Sequence, residues 1–83
     1  MRNQTIRTEF GRIFRRKRVA AGMSRAALSV AIGASYGAIR KWESGTRFIE
    51  DLSLIGPIEK SINAYLPDML DEAFRAVSKR TRS

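Results

Sequence analysis

The chain has 83 residues, which is the size of one small domain. It contains no cysteine and no histidine, so a disulfide framework, a thiolate metal site and the commonest general base are excluded. Its 16 lysines and arginines against 8 acids give a net charge of +8. This charge favours a polyanionic partner, and charge alone leaves open DNA, RNA, an anionic membrane or a merely basic protein.

No apolar stretch is long enough for a secretion signal or a transmembrane helix, so we expect a soluble cytoplasmic protein. Strands are not predicted, because no alternating apolar and polar run reaches a useful length. The fold class is therefore predicted to be all-α. A chain this short buries only about 60% of its unfolded surface, so a second copy would add needed stability.

The first predicted helix runs from Ile6 to Ala21, with Thr5 as a possible N-cap and Gly22 as its end. Its apolar residues recur at helical spacing. They are Ile6, Phe10, Ile13, Phe14 and Ala21.

Two short helices with a tight turn between them are predicted next. Ser24 is a plausible N-cap for a helix over Arg25–Ala31, and Ser35 for a helix over Tyr36–Ser44. Glycines end both helices, at Gly33 and Gly45. Their inward residues are Leu28, Ile32, Ile39 and Trp42.

The C-terminal part has weaker signals. Glu50 and Asp51 can start a fourth helix, since acids favour its positive end. A break or kink is predicted at Gly56-Pro57, followed by helix to about Tyr65. Pro67 then opens a last helix with an apolar stripe formed by Met69, Leu70, Ala73, Phe74 and Val77. We expect residues 1–66 to form the main domain, and 67–83 to form a C-terminal helix and mobile basic tail that extend it.

The paired short helices have the layout of a helix-turn-helix, whose second helix enters the major groove of DNA. The segment resembles the phage-repressor and Cro family over about residues 10 to 65. The residues that carry the resemblance are Met23, Ser24, Leu28, Gly33, Ser35, Ile39, Trp42, Glu43 and Gly45. The resemblance implies a compact five- to six-helix lambda-repressor-like domain.

The chain departs from the family pattern at several positions. Arg25 replaces the usual Gln, Ser29 replaces the usual Ala, and Val30 and Ala31 stand where polar residues are normal. Gly37 lies inside the recognition helix, where glycine costs roughly 1 kcal/mol relative to Ala.

The resemblance implies that the start of the third helix faces base edges. The candidate base contacts are Ser35, Tyr36, Gly37, Arg40 and Lys41. Lys41 can donate to guanine or instead contact a phosphate. Tyr36 can offer its ring to a thymine methyl or its hydroxyl to a phosphate. Gly37 is expected either to allow close approach to the groove or to be neutral, while Arg40 has no assigned target.

Around this helix, the candidate phosphate contacts are Arg18, Ser24, Arg25, Ser44, Thr46 and Arg47. The resemblance further implies an ion pair between Arg18 and Glu43. An arginine held in this way is expected to serve the carboxylate and a phosphate together. The alternative is two independent surface charges.

The last helix has two interpretations. Its residues Met69, Leu70, Phe74 and Val77 either close the core of one chain or form a homodimer interface, which we favour. We therefore expect a dimeric repressor on an inverted-repeat operator in double-stranded DNA. The alternative is an antitoxin-type protein whose C-terminal helices bind a protein partner. No enzymatic activity, metal, cofactor, small-molecule ligand or membrane partner is expected.

Overall fold

The computed structural model describes the backbone of residues 3–81 and the side chains of residues 5–79. Five α-helices follow one another, and the described residues contain no strand. In chain order they are α1 (Asn3–Ala20), α2 (Arg25–Ile32), α3 (Tyr36–Ser44), α4 (Ile55–Ile62) and α5 (Leu66–Thr81), with a 3-10 turn over Leu52–Leu54. The predicted all-α class is confirmed.

The helix ends in the first half of the chain follow local signals. The side chains of Ser24 and Ser35 each accept a hydrogen bond from the backbone N–H three residues later, at 3.0 Å. The glycines predicted to end the first three helices, Gly22, Gly33 and Gly45, have φ angles of 74°, 72° and 81°. Because only glycine adopts this left-handed region without strain, these positions reverse the chain sharply and allow a tight turn between α2 and α3.

Several predicted boundaries are wrong. Thr5 lies inside α1, because the polar residues before it do not interrupt a helix, and Ala21 is exposed beyond the end of α1. There is no break at Gly56-Pro57, because Pro57 stands in the first turn of α4, where its missing N–H costs no helical hydrogen bond. Asp51 caps the 3-10 turn rather than a helix.

The connection between α4 and α5 also differs from the prediction. The fourth helix ends at Ile62 rather than near Tyr65, since Asn63 takes a left-handed conformation with φ 53°. The side chain of Glu59 then accepts a hydrogen bond from the backbone N–H of Leu66 at 2.8 Å. Helix α5 continues to Thr81, through the segment predicted to be mobile, while Arg82 and Ser83 lie outside the described residues.

One apolar core joins the helices, and α1 packs against both α3 and α5. Phe14 contacts Trp42 edge-to-face with ring centroids 6.0 Å apart, and Phe10 contacts Phe48 at 5.0 Å. The core also contains Ile13, Leu28, Ile32, Ile39, Ile49, Ile58, Ile62, Leu66, Met69 and Ala73. Helix α3 is thereby held by its apolar side, and its polar side is left facing outward.

Candidate nucleic-acid interface

The outward side of α3 carries the residues that were predicted to face DNA bases. Ile39 and Trp42 are 0% and 5% exposed, so they fix which side of α3 faces the core. The predicted contacts Ser35, Tyr36, Gly37, Arg40 and Lys41 are all exposed. The sequence therefore located both the helix and its solvent-facing side.

Arg18 and Glu43 form the ion pair that the resemblance implied. The Nε of Arg18 donates to Glu43 Oε2 at 2.7 Å, and its Nη2 donates to Oε1 at 3.2 Å. Its Nη1 donates to the backbone oxygen of Met23 at 2.7 Å. All three nitrogens are engaged and the side chain is only 7% exposed, so Arg18 offers little surface to a phosphate, and that contact stays a prediction.

Arg25 is the second arginine on the same carboxylate. Its Nε donates to Glu43 Oε1 at 2.9 Å, while its side chain remains 30% exposed. Hydrogen bonding to Glu43, and secondarily to the hydroxyl of Tyr36, raises the pKa of Arg25. Because the charge of Glu43 is already balanced by Arg18, the trio keeps one positive charge, and Arg25 presents it at the surface.

A concavity of about 450 Å³ lies beside α3 and extends to α1. It is lined by Arg15, Arg25, Gly37, Arg40, Lys41, Glu43 and Ser44. Four of these seven residues are cationic, and the one acid is Glu43. Arg15 was not among the predicted contacts, because the helical pattern shows that it lies outside the apolar stripe of α1 but not which neighbouring helix it faces. We refer to this feature as the basic concavity.

The remaining predicted phosphate contacts lie at the start of α2 and at the end of α3. Ser44 Oγ donates to the backbone oxygen of Lys41 at 3.1 Å and lies 2.8 Å from the hydroxyl of Thr46. Ser44, Thr46 and Arg47 are exposed at the C-terminal end of α3. Ser24 is exposed at the start of α2, where it also acts as the cap.

The four residues predicted to form a dimer interface divide into two pairs. Met69 and Val77 are each 1% exposed, so they are buried within one chain and their assignment to an interface is wrong. This burial follows from α5 packing on α1. Phe74 remains 50% exposed and Leu70 is partly buried, so these two retain surface for a partner.

The described residues also bear on metal sites and membrane spans. Within residues 5–79, no three acidic side chains lie close enough together to hold a metal ion. No described helix combines the length and the apolar character that crossing a membrane requires.

No protein-family model matches the sequence, and comparison with curated proteins gives no match. Solved structures do match. The clp gene regulator ClgR from Corynebacterium glutamicum superposes with a TM-score of 0.77 at 22% identity, covering 93% of this chain and 81% of the other. The restriction-modification controller protein C.AhdI from Aeromonas hydrophila gives 0.65 at 22% identity, covering 75% and 92%. The chain therefore shares the all-helical fold of these two structures, with α2 and α3 in the layout of a helix-turn-helix.

Proposed function

We propose that the protein is a sequence-specific DNA-binding regulator of transcription. The observation that carries the proposal is the continuous polar surface from the exposed start of α3 into the basic concavity. The width of α3 suits the major groove, and the lysine and arginines beside it suit the flanking phosphates. The names of the two structural neighbours, a gene regulator and a controller protein, support a regulatory role.

The side chains divide into base-reading and phosphate-binding groups in this proposal. Tyr36 and Lys41 read base edges, and Gly37 lets the backbone of α3 approach the groove closely. Arg25, one of the predicted phosphate contacts, is the more exposed of the two arginines on Glu43 and binds a phosphate. Its Nε is held by Glu43, so the guanidinium is oriented before DNA arrives and its outer nitrogens point to a phosphate as a fork.

Selection of bound duplexes from random DNA tests the proposal directly. We expect one recurring sequence motif, and affinity for it should fall steeply as salt rises, since bound phosphates release counterions. Lys41→Ala should relax preference at one base position by about 1–3 kcal/mol. Arg25→Gln should weaken binding to all sequences alike. No enrichment of any motif, or a weak salt slope, would contradict the proposal.

The dimer is a separate part of the proposal, and its support comes from α5. Leu70 and Phe74 lie four residues apart and therefore share one side of the helix.

The charges along α5 indicate how two copies would be oriented. The first half of α5 is acidic and the second half is basic. The acids are Asp68, Asp71 and Glu72, and the bases include Arg75 and Lys79. An antiparallel copy of α5 brings opposite charges together, whereas a parallel copy opposes like charges. We propose an antiparallel α5 contact in a homodimer that represses from an inverted-repeat operator.

Charge exchange across α5 tests this interface. Asp71→Arg and Arg75→Asp each oppose like charges in an antiparallel homodimer, so each variant alone should sediment as a monomer. An equal mixture should form heterodimers, because the altered charges then face opposite ones. Neither variant regains the 2.9 Å Asp71–Arg75 pair within its own chain. Recovery of the dimer on mixing therefore reports the contact between chains. A monomeric wild-type protein, or no recovery on mixing, contradicts the dimer and leaves DNA binding as a separate question.

A further inference from the structure

The arginines on the second half of α1 differ in their partners. Arg12 bonds Glu9 at 3.1 Å, Arg16 bonds Glu72 at 2.6 Å, and Arg18 bonds Glu43 at 2.7 Å. Arg15 is exposed, and no carboxylate of the described residues lies within ion-pair distance of it. Its charge is therefore available to a partner outside the chain.

The surroundings of Arg15 indicate which partner this is. Its side chain lines the basic concavity together with Arg40 and Lys41 of α3 and Arg25 of α2, so three helices contribute to this surface. The acid within it, Glu43, is saturated by Arg18 and Arg25 and cannot neutralise further cations. An uncompensated cluster of cations in a concave surface concentrates the positive potential and attracts an anion.

We propose that the basic concavity is a binding site for a DNA backbone phosphate and that Arg15 of α1 is one of its ligands. This inference rests on the proposed function and extends the DNA contact surface beyond the helix-turn-helix to α1. Arg15 of α1 and Arg25 of α2 donate to the phosphate oxygens. Phosphate is the matching ligand, because the paired N–H groups of a guanidinium bind two of its oxygens at once.

The position of the concavity explains why the ligand is a duplex backbone rather than a free anion. Gly37, Arg40 and Lys41 line the concavity and also lie on the side of α3 proposed to face the groove. A strand that borders the groove occupied by α3 must therefore pass beside α1. Arg15 then fixes the tilt of α3 in the groove, and its contact with the backbone carries no base preference of its own.

A matched pair of variants tests the site. Arg15→Gln and Arg12→Gln each remove one positive charge from an exposed position on α1, so they alter the overall charge equally. The Arg12 side chain is 69% exposed and is paired with Glu9, and it does not line the concavity. Binding of each variant to the selected duplex and to a scrambled duplex is measured across a salt series, and circular dichroism verifies that both variants fold.

We expect Arg15→Gln to lower affinity for both duplexes by the same factor. The plot of the logarithm of the binding constant against the logarithm of the salt concentration should also become shallower by about 0.9, the value for one lost phosphate contact. Arg12→Gln should keep the wild-type slope. Identical slopes for the two variants, or an Arg15→Gln defect confined to one base position, would overturn the assignment. If the wild-type protein binds neither duplex, the proposed function fails; if only the difference between variants is missing, this inference alone fails.

Discussion

Gly11 of α1 lies directly against the backbone of Trp42 in α3. A Cβ at Gly11 would stand 2.4 Å from the carbonyl oxygen of Trp42 and 2.6 Å from that of Glu43, which is far inside van der Waals contact. The contact brings α1 onto the C-terminal end of the proposed recognition helix. It therefore also brings Arg15, one turn later on α1, beside α3.

Gly11→Ala should therefore separate α1 from α3. Because the clash is with backbone oxygens, which no side-chain rotation relieves, we expect a loss near the upper end of about 1–3 kcal/mol in the free energy of unfolding. Urea denaturation measures it. Gly37→Ala serves as the control, since a Cβ there meets nothing within 4 Å. Wild-type stability in Gly11→Ala would contradict the close approach.

Gly37→Ala should have opposite effects on folding and on binding. Its Cβ enters open space in a helix, so the variant should gain about 0.5–1 kcal/mol of stability. The same Cβ stands on the surface proposed to approach DNA, so affinity should fall. Thermal unfolding and a DNA titration measure the two effects.

The control for Gly37→Ala is Gly56→Ala. Gly56 is exposed on α4, and a Cβ there also meets nothing within 4 Å, so this variant should leave DNA affinity unchanged. If Gly37→Ala binds as tightly as Gly56→Ala, the glycine has no part in approaching the groove.

Glu43→Gln should be among the most damaging polar substitutions. It leaves the 7% exposed side chain of Arg18 without a counter-charge, and loss of one partner from a buried pair costs about 3–5 kcal/mol. Glu72→Gln breaks the exposed pair with Arg16 and should cost no more than about 1 kcal/mol. Chemical denaturation compares the two variants, and equal losses would contradict the structural role of Glu43.

Asp51 should titrate below its ordinary range. Hydrogen bonds from the hydroxyl and the backbone N–H of Ser53, at 2.6 and 3.0 Å, lower the pKa of the Asp51 carboxyl. A carboxyl whose pKa is lowered by folding stabilises the fold fully above its unfolded pKa, and this contribution is lost as pH falls through the folded pKa. The contribution should therefore be lost as pH falls below the ordinary pKa of an aspartate.

Ser53→Ala removes the hydroxyl, which is the larger cause, so the pKa of Asp51 should rise towards its ordinary value. The stability that depends on ionised Asp51 should shrink with it. NMR titration of the carboxyl carbon measures the change, and an unaltered pKa in Ser53→Ala would show that the hydroxyl does not hold the carboxylate.

The amino-acid sequence by itself determined the bounds of α3 and the N-cap of α2. Capping by Ser24 and Ser35 and chain reversal at Gly33 and Gly45 depend on residues within four positions of each other. Such signals act before any helix meets another, so they can be recognised in the sequence. The same is true of the side of α3 that Ile39 and Trp42 turn inward, since helical periodicity alone defines it.

Only the tertiary structure decided which charges and which apolar side chains remain accessible. Arg18 and Arg25 both bond Glu43, but the packing of α1 and α2 buries the first and leaves the second at the surface. Likewise Met69 and Phe74 belong to one apolar stripe, yet only the first meets the core. Burial depends on how helices distant in the chain cross, and sequence periodicity contains no information about that crossing.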